Sequence, residues 1–173
     1  MPNLLNPKTL ANAVPFKPLQ VLGGNEGRIV RPLGLAFRWK VTGADTGYAF
    51  AVYEMELEPG SAIPVHVHPF AEFFYVLEGR VEALGLDDDG QASSRPLSSG
   101  ECANVPANTP HGLRNASDRP ARFLSVASFE HEEAFNRIER GMVEAGGEAL
   151  PGSRQAEIFM QLASEMQIHF LAA

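Results

Sequence analysis

The sequence predicts an all-β barrel or sandwich, with an extended arm over residues 1–18 before it and a helical tail over 130–173 after it. Three observations lead there. Between residues 19 and 129, short β-branched and aromatic runs recur at even spacing, parted by Gly, Pro and Asp turns. Residues 53–58 alternate strictly, with Tyr53, Met55 and Leu57 set against Glu54, Glu56 and Glu58. That is the period of a strand with one dry face and one wet face. After Phe129 the composition turns to that of helices.

Along the chain, Pro2, Pro7, Pro15 and Pro18 exclude a long helix from the first 18 residues and leave an extended arm. Residues 20–22, 28–31, 35–41 and 48–57 read as strands, parted by glycine-rich turns at 23–27 and 43–47. Residues 73–77 are aromatic and β-branched, a buried strand that ends at Gly79. Residues 80–84 continue to a hairpin tip at Asp87, Asp88, Asp89 and Gly90. Those aspartates read as a solvated turn, because the other ligand positions of a calcium loop are missing. Residues 102–105, 112–115 and 121–127 are the remaining strands. In the tail, residues 131–140 read as one helix. Ser153 caps a second helix running to about Phe170, with Ile158, Phe159, Leu162, Met166 and Phe170 as an apolar stripe packed on the barrel.

The whole chain bounds the function. Its 173 residues make one domain with appendages. A net charge of −7 argues against a nucleic-acid partner, which requires a basic face. A single cysteine excludes an internal disulfide and fits a reducing compartment. The start reads as lacking a signal peptide, and no apolar run approaches the ~20 residues that span a bilayer. A cytoplasmic protein without membrane contact is expected.

The chemistry concentrates in two stretches. His66 and His68 lie two apart, so on a strand both imidazoles face the same way. Glu72 follows after Pro69, where the chain can bend back. Imidazole nitrogen and carboxylate oxygen are ordinary ligands for divalent first-row metals. His111, in a proline-rich turn, is the natural fourth ligand. Several ionisable groups inside a barrel would be costly without a cation to pair them.

Gly60, His66, His68, Glu72 and Gly79 occupy every fixed position of the first motif of the cupin superfamily. Gly100, Pro106, His111 and Asn115 match the second motif, and the chain resembles that family over roughly residues 30–130. One position departs: Asn108 stands where the family usually has Gly. Asn tolerates the left-handed backbone such a turn uses. The resemblance implies a double-stranded β-helix (jelly-roll barrel) over 19–129. It also implies one divalent transition metal (iron, manganese, nickel, cobalt, copper or zinc) on His66, His68, Glu72 and His111. A short barrel followed by a helical tail is similar to the quercetinase-like and small conserved-barrel cupins. That implies a dioxygenase of a small aromatic or enolic, flavonol-like substrate. Glu72 would be both ligand and base, a role that asks for a raised pKa. A metal-dependent isomerase or lyase of a sugar or organic acid is the alternative, as is a binding protein without catalysis. A homodimer is expected, as is common among cupins.

Strand alternation places Tyr53, Met55, Phe74, Val76 and Leu113 on the ligand-bearing face, either as substrate-pocket walls or as barrel filling. Cys102 reads as a buried thiol, Arg114 as outward-pointing, and His131 and His169 as surface or cap residues of the tail.

Overall fold

The computed structural model describes residues 18–32, 35–149 and 151–171. The predicted arm therefore lies almost wholly outside the described residues. Ten strands come first: β1 (Arg28–Val30), β2 (Phe37–Val41), β3 (Phe50–Leu57), β4 (Ala62–Val67), β5 (Glu72–Glu78), β6 (Arg80–Leu86), β7 (Ala92–Ser98), β8 (Cys102–Val105), β9 (His111–Arg114) and β10 (Ala121–Ser128). Helices α1 (Phe129–Glu144) and α2 (Gly152–Glu165) follow, and a short strand β11 (His169–Phe170) comes last.

The strands form two antiparallel sheets, ordered β1-β2-β3-β10-β5-β8 and β11-β4-β9-β6-β7. Each sheet turns its apolar positions toward the other. In β3, Tyr53, Met55 and Leu57 are buried, as their alternation predicts, and β10 opposite contributes Ala121, Phe123, Ser125 and Ala127. Trp39, Val76, Val81 and Leu113 close the core between the layers. The turn at Asn108 is left-handed (φ 63°), so the residue that departs from the motif keeps its conformation.

One irregularity shapes the interior. Ile63 pairs with Leu113 but His66 pairs with His111, so β4 carries one residue more than β9 between them. Pro64 sits in this bulge, where a missing N–H is tolerated. Gly112 faces it. A Cβ there would lie 2.6 Å from the Ile63 carbonyl oxygen, so only glycine lets the two strands approach this closely.

The tail differs from expectation at both ends of its second helix. The second helix begins at Gly152, after Pro151 as N-cap, rather than at a Ser153 cap. It stops at Glu165; Gln167 turns left-handed (φ 60°), and His169 and Phe170 pair with Val67 and His66 of β4. A sheet edge offering unpaired backbone groups prevails over further helix. Residues 20–22 form no strand and stay exposed. Cys102 is exposed, not buried. It pairs across β5 with Tyr75 on the outer face of the sheet, while Ala103 and Val105 turn inward.

Candidate metal centre

The centre lies between the sheets. The five-stranded sheet supplies the imidazoles: His66 from β4, His68 just beyond its end, and His111 from β9. The six-stranded sheet supplies Glu72 from β5. All four are buried. The ligand atoms of His66, His68 and His111 lie within 4.8 Å of one another. Sequence spacing thus brings the four expected residues to one place.

Backbone carbonyls orient the three rings. Nδ1 of His66 donates to Pro64 O (2.9 Å), Nδ1 of His68 to Phe70 O (3.0 Å) and Nδ1 of His111 to Thr109 O (2.7 Å). A carbonyl can only accept, so each Nδ1 carries the proton and each neutral ring presents Nε2 as a lone pair. Two of these lone pairs face the same carboxylate oxygen. Glu72 Oε2 is 3.3 Å from His68 Nε2 and 3.2 Å from His111 Nε2. His68 Nε2 is buried without a hydrogen-bond partner. Lone pairs that converge on an anion require a positive charge between them. A proton serves one contact; a divalent cation serves all of them. The donor set therefore fits a transition metal.

The other carboxylate oxygen is held from behind. Tyr53 OH donates to Glu72 Oε1 at 2.6 Å and Ser125 Oγ at 2.8 Å. Ser125 sits on β10 between Tyr53 and Phe74, two residues from Ala127, which pairs with Glu72. Burial raises the Glu72 pKa, but the summed pull of His131, His111 and His68 prevails and holds it well below the usual carboxylate range. The surroundings thus push Glu72 in the direction opposite to the raised pKa expected of a base. Burial, and next His111, push His66 down to about 3. Burial, and next the Glu72 charge, hold the Tyr53 phenol well above its usual value.

Met55, Phe74, Val76 and Leu113 stand on the inward face as expected, packed into the core. Phe74 reaches within 6.1 Å of the His111 ring, centre to centre. Cavities of about 620 and 650 Å³ lie elsewhere, around Arg122 and around Lys40. Near the centre, the Phe170 ring stands 5.5 Å from His66 and the Phe70 ring 5.2 Å from His68.

A further histidine joins the cluster. His131, expected on the surface, is only 2 % exposed. Its Nε2 lies 3.6 Å from Glu72 Oε1. Helix α1 carries it in, held to the barrel by Glu132, which accepts from Gly43 N (2.6 Å), and by Phe135 against Phe37 (4.5 Å between rings). Helical spacing held the signal: His131 shares a stripe with the buried Ala134, Phe135 and Ile138, at i+3, i+4 and i+7. Burial pushes its pKa down to about 4, partly opposed by Glu72. His169 is exposed, and Arg114 points outward to Glu82.

Residues 53–127 match the family model for the cupin domain. The chain carries a cupin domain. The chain is 40 % identical over 78 residues to quercetin 2,3-dioxygenase of Bacillus subtilis (strain 168), covering 44 % of this chain and 22 % of that protein. It is 30 % identical over 139 residues to germin-like protein 3-8 of Oryza sativa subsp. japonica, covering 80 % of this chain and 47 % of that protein. The chain thus spans less than half of either relative. Among solved structures it resembles the polyketide cyclase RemF from Streptomyces resistomycificus at a TM-score of 0.54 and 26 % identity, covering 65 % of this chain and 80 % of that one. With its three-histidine and His-Glu-His clusters, this is a cupin-type metal-binding domain on a double-stranded β-helix.

Proposed function

We propose that His66, His68, Glu72 and His111 hold one divalent transition cation, and that the protein is a dioxygenase of a small aromatic or enolic substrate. The observation that supports the site is the meeting of two imidazole lone pairs and a carboxylate oxygen at 3.2–3.3 Å. When bound, the cation supplies Lewis acidity and, if redox-active, electronic access to dioxygen. The chain's own residues do the rest. The carbonyl-pinned imidazoles are oriented in advance. Tyr53 and Ser125 keep Glu72 Oε1 in place, leaving Oε2 toward the cation. A carboxylate held this low, and lowered further beside a metal ion, takes protons only from acidic hydroxyls. That favours an enol or phenol over a sugar alcohol. Met55, Phe74, Val76 and Leu113 would keep the reacting end of the substrate dry. Both atoms of dioxygen would enter the product as the enol double bond is cleaved, so no further reductant is required. The 40 % identity to quercetin 2,3-dioxygenase supports the redox form of this reading.

The likeness to a polyketide cyclase favours a second reading, in which the same centre performs non-redox chemistry on an enolisable organic acid. The first experiment is elemental analysis of protein purified without chelators, beside His68→Ala. Near-stoichiometric metal lost in the variant supports the centre; no metal even after reconstitution sinks it. Oxygen uptake with flavonols or diketones separates the readings: uptake carries the first, and metal-loaded protein without uptake carries the second.

A further inference from the structure

We propose that His131 is a fifth metal-binding side chain, forming with His68 and Glu72 a second cation position that overlaps the three-histidine one. The inference rests on the reading that the centre binds a divalent cation. The ligand atoms of His68, Glu72 and His131 lie within 4.8 Å of one another, the same closeness as in the three-histidine group.

The neighbours of His131 set it apart from a core histidine that merely packs. Its Nδ1 is buried with no hydrogen-bond partner. Its Nε2 stands 3.6 Å from Glu72 Oε1, beyond hydrogen-bond range. The other three rings each have an Nδ1 tied to a carbonyl. His131 is enclosed instead by aromatic faces: it stacks on Tyr53 (5.7 Å, 3° between planes) and tilts against Phe135 (4.8 Å). A phenylalanine would suit such a slot better than an imidazole without hydrogen bonds. A cation between His131 Nε2 and the carboxylate would bridge the 3.6 Å that separates them.

The carboxylate divides between the two positions. Oε2 faces His68 and His111, whereas Oε1 faces His131, Tyr53 and Ser125. His68 has one free nitrogen, because its Nδ1 is committed to Phe70 O. The two positions therefore exclude each other. The protein binds one ion, which can draw on either set of ligands.

The test is titration of Co²⁺ into metal-free protein, followed by calorimetry and visible absorption. His131→Phe keeps the ring and removes the nitrogens. It is expected to alter the absorption bands of the bound Co²⁺ while the His66, His68, Glu72 and His111 position still takes up the ion. His66→Ala is expected to keep measurable Co²⁺ binding that His66→Ala with His131→Phe loses. A wild-type absorption spectrum in Co²⁺-loaded His131→Phe would overturn the proposal, as would equal binding by His66→Ala and the double variant. Either result leaves the four-residue centre standing, whereas a wild-type protein that takes up no Co²⁺ removes both. If His131→Phe does not fold, proton NMR of Co²⁺-loaded wild-type protein decides. Contact-shifted ring signals from four histidines support the proposal, and signals from only His66, His68 and His111 overturn it.

Discussion

Glu72 is where the two sheets meet chemically, and its supports are unequal. Two hydroxyls, from Tyr53 and Ser125, reach Oε1. Tyr53→Phe removes one donor and leaves the ring in place. It should cost about 1–3 kcal/mol, the range for a hydrogen bond to a buried charge. Urea denaturation of the metal-free protein measures this, and an unchanged midpoint would mean that Ser125 alone suffices. His111→Ala acts differently. It deletes a ring whose Nδ1 only orients it and whose Nε2 faces Glu72. Metal uptake should fall sharply while the circular dichroism spectrum stays that of the β-barrel, because the hydrophobic core does not include this ring. Loss of the barrel spectrum would make the metal structural.

Among the elements, the β4 bulge and the strand facing it form one device. Gly112 lies between His111 and Leu113 and meets the Ile63 carbonyl closely. Gly112→Ala must part the strands or shift the bulge, displacing His66 relative to His111. The expected result is a metal affinity lowered tenfold or more, with a melting temperature several degrees lower. Calorimetric titration and thermal denaturation check both. The elements also divide by how legible they are in the sequence. Strands β3, β5 and β9 could be read because alternation and motif spacing are local signals, and the same spacing brought His66, His68, Glu72 and His111 together. Strand β11 could not, because two residues become a strand only when β4 lies beside them. His131 was only half legible. The helical stripe through Ala134, Phe135 and Ile138 gives its burial, but its approach to Glu72 depends on how α1 docks. The exposure of Cys102 likewise follows from which face of β8 turns inward.

At the scale of the molecule, buried imidazoles tie stability to acidity. In the metal-free protein, His66 and His131 have folded pKa values near 3 and 4, against 6.5 when unperturbed. The unfolded chain therefore binds more protons between those limits, and stability falls as pH falls from about 6.5 toward 4. Glu72 acts in the same direction at lower pH, since its depressed pKa gives stability that is lost as the carboxylate protonates. The urea midpoint should decline steadily through that window, and a flat profile contradicts it. Assembly is a separate matter. The sheets end in β1, β8, β7 and the two-residue β11, and pairing of two copies remains our proposal. Light scattering at micromolar concentration should give twice the chain mass, and a monomer would defeat it. No helix among the described residues is long and apolar enough to cross a membrane.

The pairing of β11 with the strand that carries His66 bears on how an ion could ever leave. Residues from the end of the chain lie across a strand laid down a hundred positions earlier, with Phe170 beside His66. Were release to require this segment to peel away, the exchange rate would be set by local unfolding rather than by the strength of the metal–ligand bonds. At equilibrium copper would outcompete its neighbours for such a nitrogen-rich site. A slowly exchanging ion escapes that contest. The metal found in freshly isolated protein would be a record of which ion was abundant while the chain was folding.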